Sequence, residues 1–200
     1  AGNILGAEQS GFINDIGFET YHKILDEAIL ELKETEFQYI FDKEEKSYVA
    51  DCTIETDMEV RFPADYINST QERVSLYSEL DRTKTEEALM KFTDHLIDRF
   101  GPIPKQVNDL LNTVRLRWIA KDLGFEKILL RHHNMTAYFV SNQASKYYES
   151  STYMQIMQYI MNHPKRTALK EVNDKLQLTV KEVETVTQAL QLLREMQTIN

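Results

Sequence analysis

Cysteine is almost missing: Cys52 stands alone in 200 residues. An internal disulfide is therefore excluded, which suits a reducing, cytoplasmic compartment. Its surroundings, VADCTIE, contain no histidine to activate a thiolate, so a nucleophilic role is not expected. No apolar run approaches the length that spans a bilayer, and no membrane partner is expected. AGNILGAEQS has no basic stretch leading an apolar one, so a secretory signal is not expected. A basic excess is missing too. The formal net charge is −9, and it is unevenly placed. Residues 1–52 carry 12 acids and 4 bases, net −8, and residues 53–200 carry 20 acids and 19 bases, net −1. Neither part has the cationic surplus that generic binding to a phosphate backbone demands.

Nucleotide loops are absent as well. GNILGAEQSG is glycine-rich, yet no Gly-Lys-Ser/Thr follows, and the G-x-G-x-x-G spacing with a preceding strand is missing. By spacing alone these glycines let the chain turn, with Ser10 or Asn14 starting a helix. The histidines have no metal-binding partners at HxxxH or CxxC spacing. His132 and His133 are adjacent on a strand or turn and would point to opposite sides, while His22, His95 and His163 are scattered. The acids of FDKEEKS read as a solvated charge run. No nucleophile, base and orienting group come together. The chain is therefore expected to neither hydrolyse ATP nor bind duplex DNA tightly at physiological salt. DNA-stimulated phosphate release, or sub-micromolar duplex affinity of the pure chain, would contradict this.

What is present is enough apolar residue, 42%, for one ordinary core plus an appendage. In FETYHKILDEAILEL, Phe18, Tyr21, Leu25, Ala28 and Leu32 recur on one helical face. From residue 33 the period is lost among charges, with Phe37, Tyr39 and Phe41 available for local contacts. The expected division is an N-terminal helical appendage over 1–35, a linker over 36–52 and a domain over 53–200.

Within that domain, Ile54, Met58, Val60 and Phe62 alternate with charged residues, which predicts a half-buried strand ended by Pro63. Ser69 with Glu72 forms a capping box for a helix through Leu80, and Thr83 with Glu86 repeats it for a second. That second helix turns Leu89, Phe92, Leu96 and Phe100 inward and stops at Gly101-Pro102. Pro104 opens a third, apolar on both sides: Val107, Leu110, Leu111, Val114 and Trp118 on one, Leu116, Ile119, Ala120 and Leu123 on the other. A helix of that kind is the buried spine, and Gly124 ends it. Two hairpins follow, turning near His133-Asn134 and at Asn173-Asp174. Between them a helix packs Ile156, Met157, Ile160 and Met161 and stops before Pro164. A last helix over 181–198 carries Val183, Val186, Leu190 and Leu193, a seam too short for a coiled coil. The fold class is α+β, a helix-rich domain with a small, mostly antiparallel sheet.

One surface carries a sharper expectation. On the second helix, Asp98 lies almost opposite the inward stripe, with Lys91 and His95 near it and Arg99 on the flank. Two readings stand side by side: a solvated face with Arg99 favouring the helix C-terminus, or a polar patch that gives register to a docked domain.

The glycine stretch followed by IGFETYHKILDEAI resembles bacterial transcription-repair coupling factors after their last helicase motif. That pattern reads Arg-Gly-x-Gly, two residues, Leu-Gly, two residues, Gln-Ser-Gly, then Val/Ile-Gly-Phe-x-x-Tyr. Gly2, Leu5, Gly6, Gln9, Ser10, Gly11, Gly17, Phe18 and Tyr21 match, and the leading Arg-Gly would fall before Ala1. EVRFPADYI, ERVSLY, LIDRFGPIP and LLNTVRLR are similar to landmarks of the same family's C-terminal domain. The resemblance implies that Gly2, Gly6, Gln9, Ser10 and Gly11 end a translocation motif shared with RecG-type translocases. It implies a parent that uses ATP and Mg to move on duplex DNA, displaces stalled RNA polymerase and recruits UvrA. It further implies that the C-terminal domain restrains the motor lobes by docking on the N-terminal UvrB-like module. Asp98 and Arg99 would belong to that docking face. His95 stands where the family often has an acid. The competing readings are a fragment that binds ATP or DNA by itself, which would need a nucleotide loop or a basic face, and a generic helical protein-interaction adaptor unrelated to repair.

Overall fold

The computed structural model describes residues 48–199. The glycine motif, the helix predicted over residues 18–32 and most of the expected linker lie outside the described residues. The chain divides into two compact units, one containing Val60–Leu111 and the other residues 48–59 and 112–199.

The first unit is helical. Helix α1 (Thr70–Asp81) starts as its capping box demands, with Ser69 Oγ accepting from the Glu72 backbone N–H at 3.3 Å. Val74, Leu76, Tyr77 and Leu80 are buried. Tyr77 is held by chemistry as well as packing: its hydroxyl accepts from the Phe62 N–H at 3.0 Å, and the two rings lie 4.8 Å apart. Helix α2 (Glu86–Phe100) is capped by Thr85, not by Thr83. Thr83 is already committed to closing α1, donating its hydroxyl to the Glu79 carbonyl at 3.0 Å and its N–H to Leu80. Thr85, in extended backbone, accepts from the Ala88 N–H instead. Leu89, Phe92 and Leu96 are buried as the stripe predicts, with Phe100 half-buried. Gly101 ends the helix at φ +86.

Helix α3 (Lys105–Leu123) begins on the Pro104 carbonyl, which accepts from Val107 and Asn108. Val107, Leu110 and Leu111 are buried in the first unit; Val114, Leu116, Ala120 and Leu123 are buried in the second. Burial on both sides bears out the spine reading. Trp118 and Ile119 are only half-buried, so Trp118 is not a full core residue.

The second unit is built on one five-stranded sheet. Its strands are β1 (Thr53–Thr56), β2 (Phe125–Arg131), β3 (Asn134–Phe139), β4 (Thr167–Val172) and β5 (Lys175–Lys181), in the order β1-β2-β3-β5-β4. Only the β1–β2 pair is parallel. The sheet is therefore mostly antiparallel and the class α+β, as expected. Strand β1 is much shorter than the alternation through Phe62 suggests. Pairing stops because Thr56 Oγ1 accepts from the Met58 N–H at 3.0 Å, turning the chain away, although Phe62 is still buried.

Both hairpins turn in two left-handed residues. Asn173-Asp174 does so as expected, whereas the first turn is His132-His133, with Asn134 already paired to Arg131. A 3₁₀ turn (Lys146–Glu149) precedes α4 (Ser151–Asn162). There Ile156 and Tyr159 are buried, but Met161 is 66% exposed, against expectation. Tyr159, stacked 4.1 Å from the His163 ring, occupies the inward position, and Met161 lies about 140° from Ile156 around the helix. The final helix, α5 (Val186–Gln197), starts five residues later than its seam suggests. Strand β5 runs on to Lys181, and Thr185 is the cap. Val186, Ala189, Leu190, Leu192, Leu193 and Met196 are buried, a face wider than a coiled-coil seam and suited to core packing.

Candidate interaction surface

The C-terminal end of α2 is where the sequence placed a docking patch, and His95, Asp98 and Arg99 are all exposed there. The helix itself dictates this. With Leu89, Phe92 and Leu96 inward, Asp98 falls about 180° from Leu89 and His95 about 60° further round. Asp98 is thus aimed at solvent by the same periodicity that builds the core.

Arg99 is more constrained. Its guanidinium donates to a Glu72 carboxylate oxygen at 2.7 Å and lies 4.8 Å from the Phe100 ring centre. Glu72 belongs to the first turn of α1 and Arg99 to the last turn of α2, so each charge also complements its own helix dipole. Both side chains are more than 40% exposed, which limits the pair to about 0–1 kcal/mol. The helix end is locked from below by Tyr66, whose hydroxyl donates to the Gly101 carbonyl at 2.9 Å, with its ring 5.9 Å from Phe100. Asp98 and Arg99 therefore stand on a rigid support.

Two further residues complete the patch. Met90 is 57% and Ile97 44% exposed, two turns apart on one flank of α2, beside Asp94 and Asp98. Met90 and Ile97 form an exposed apolar pair flanked by charged residues. The i, i+7 spacing of Met90 and Ile97 was the available signal, masked by the stronger inward stripe.

Cys52 is fully buried, and among the described residues no group of three or more His, Cys, Asp or Glu side chains could hold a metal ion. His132 and His133 occupy the exposed β2–β3 turn, where His133 bonds Glu184 and the His132 N–H donates to Asp57. Gly2, Gly6, Gln9, Ser10 and Gly11 lie outside the described residues. Among those described, no helix is long and apolar enough to cross a membrane.

A helical unit and a unit built on a mixed five-stranded sheet make this a mixed helix-and-sheet protein, and the family model of the TRCF domain matches residues 56–150. Over that stretch the chain is similar to the TRCF family. Over 128 residues, 64% of this chain, it is 38% identical to the transcription-repair-coupling factor of Staphylococcus epidermidis, and it is 33% identical to that of Staphylococcus aureus over an equal length. It spans about a tenth of the length of these curated relatives. Its fold is that of the C-terminal domain of a transcription-repair coupling factor seen in a crystal structure, with a TM-score of 0.60 at 13% identity, over 74% of this chain and 93% of the other.

Proposed function

We propose that the chain is the C-terminal regulatory, autoinhibitory part of an ATP-dependent DNA translocase that displaces stalled RNA polymerase and recruits UvrA in transcription-coupled nucleotide excision repair. The TRCF match supports the class, and the exposed, rigidly mounted end of α2 carries the mechanism. In this reading residues 1–35 end the motor's translocation motif and its following helix, 36–52 link, and 53–200 regulate. ATP and Mg, duplex DNA and the polymerase are handled by the motor lobes and other parts of a cytoplasmic parent. The regulatory domain docks on the parent's N-terminal UvrB-like module through Asp98 and Arg99, with His95 at the margin and Met90 and Ile97 as the apolar component. Docking hides the UvrA-binding surface. Releasing it shifts the population of the open state without touching that surface.

The test uses the full-length parent. Asp98→Ala should leave stability within about 0.5 kcal/mol, because the side chain is exposed and outside the core. Asp98→Ala/Arg99→Ala should loosen the closed state by about 1–3 kcal/mol, raising UvrA affinity about 5- to 150-fold. Arg99→Ala also removes the pair with Glu72, so Glu72→Gln serves as the control for that loss. Unchanged UvrA affinity would reduce these residues to a solvated helix end.

A further inference from the structure

The five-stranded sheet has one buried face and one open face, and the open face has a charge opposite to that of the chain. Strand register assigns every residue to a row. One row crosses the sheet as Thr53, Lys127, Tyr138, Gln177 and Lys170. The next is neutral apart from its end: Glu55, Leu129, Thr136, Thr179 and Ala168. The third runs Arg131, Asn134 and Lys181, extended by Arg166, whose carbonyl accepts from the Lys181 N–H at 2.9 Å. Lys175, paired with Val172, adds one more cation beside the first row.

Among the described residues of these rows, six cations thus stand with one carboxylate, Glu55. Its two oxygens are both taken, by Lys127 at 3.2 Å and Arg131 at 3.1 Å. Three acids at the rim are engaged elsewhere, Asp57 with the His132 N–H, Glu184 with His133 and Glu126 with Ser141. Arg166 is held in place, Nε donating to the Lys181 carbonyl and Nη2 to that of Glu182. Two residues along a strand span about 6.6 Å, so the two cationic rows run about 13 Å apart on either side of a row that is uncharged from Leu129 to Ala168.

We infer that this open sheet face, with Lys170, Lys175, Lys181 and Arg166 as its phosphate-neutralising groups and Tyr138 as its stacking ring, binds single-stranded nucleic acid. The charge calls for a polyanion. The uncharged row of Leu129, Thr136, Thr179 and Ala168, with a half-buried tyrosine in the adjoining row and Lys127 Nζ 5.7 Å from its ring centre, suits splayed bases. A protein partner would need a contiguous apolar centre. The face has none, since Leu129 and Val172 stand on β2 and β4 with two strands between them. The major groove of a duplex admits a helix or a two-stranded ribbon, not a five-stranded sheet face. The inference is independent of the docking reading, which concerns the end of α2.

Fluorescence anisotropy of a labelled oligothymidylate with the intact chain tests it. At low salt a dissociation constant on the order of 1–100 µM is expected. With about four phosphates neutralised, the log–log salt slope is about −3, so raising salt from about 50 to about 200 mM weakens binding about fifty-fold. Lys170→Glu/Lys181→Glu should lose at least about tenfold at low salt. Tyr138→Ser should lose about tenfold with the slope unchanged. Should the charge-reversed protein fail to fold, Lys170→Gln/Lys181→Gln must show the same loss and a shallower slope. Absence of binding at low salt, binding indifferent to the lysine variants, equal affinity for a duplex of the same length, or equal affinity for a polyglutamate peptide would each overturn the inference.

Discussion

Gly124→Ala should destabilise the chain by about 4 kcal/mol or more, whereas Gly101→Ala should cost only about 1–3 kcal/mol. The two glycines look alike in sequence, each closing a helix, and their backbones are alike too, at φ +85 and +86. What differs is the surroundings. A Cβ at Gly101 would meet nothing within 4 Å, so the penalty is the backbone conformation alone. A Cβ at Gly124 would lie 2.2, 2.5 and 2.9 Å from three ring carbons of Tyr147. That ring cannot step aside. It is fully buried, its hydroxyl donates to the Leu123 carbonyl at 2.7 Å, and the rings of Tyr48, Tyr148 and Tyr153 surround it at 5.2–5.6 Å. Burial, reinforced by the neighbouring phenols, pushes the Tyr147 hydroxyl far above its ordinary value, so it stays a neutral donor across the physiological range. Urea unfolding followed by the single tryptophan, Trp118, measures both substitutions. The clash is isolated by repeating Gly124→Ala in a Tyr147→Leu background, where its cost should fall to that of Gly101→Ala. Equal costs in the native background would mean that the aromatic cluster is soft.

The same comparison shows what could be read from the chain before its structure. Periodicity located the helices because it reports burial directly: Leu89, Phe92 and Leu96 on α2, and the two-sided pattern of α3, are core in fact. Caps and strand ends were less legible, because they are decided by competition between neighbouring hydrogen bonds. Thr83 and Thr85 are equally good caps in isolation, and Thr85 prevails only because the Thr83 hydroxyl is already bonded to Glu79. The alternation from Ile54 to Phe62 is genuine burial without pairing, since Thr56 diverts the backbone. At the candidate site, helix geometry placed Asp98 correctly in solvent, but the partner of Arg99 lies 27 residues away in sequence and no local signal could name it. The cationic sheet face was invisible for a related reason. Residues 53–200 are nearly neutral, and the surplus appears only when strand register gathers Lys127, Arg131, Lys170 and Lys181 on one side.

Arg117 is the extreme case of a residue that sequence could not place, and replacing it should be the second costly change. It sits mid-helix in α3 among apolar neighbours, where a basic residue reads as a solvated position, yet it is 4% exposed. Its Nε donates to the Cys52 carbonyl at 3.2 Å and lies 3.9 Å from an Asp51 carboxylate oxygen. A side chain 65 residues away thus fixes the chain just before β1 enters the sheet. Arg117→Ala should cost about 3–5 kcal/mol, because it removes a donor to the Cys52 carbonyl and a cation beside Asp51 from a buried site. Arg117→Met keeps the volume but not the charge. It should cost less, since removing the guanidinium also removes its desolvation penalty. Arg117→Lys should not restore the wild type, because a point charge on a flexible stem does not reproduce a planar donor aimed along Nε. Global unfolding gives the totals, and Cys52 gives a local readout. Its thiol is fully buried, so its reaction with a disulfide reagent under native conditions reports opening of this segment. The alanine variant should expose Cys52 faster than its loss of global stability accounts for, with Lys and Met between it and wild type. If Cys52 stayed as protected as in the parent while stability fell, the arginine would be packing the helix and not anchoring the strand.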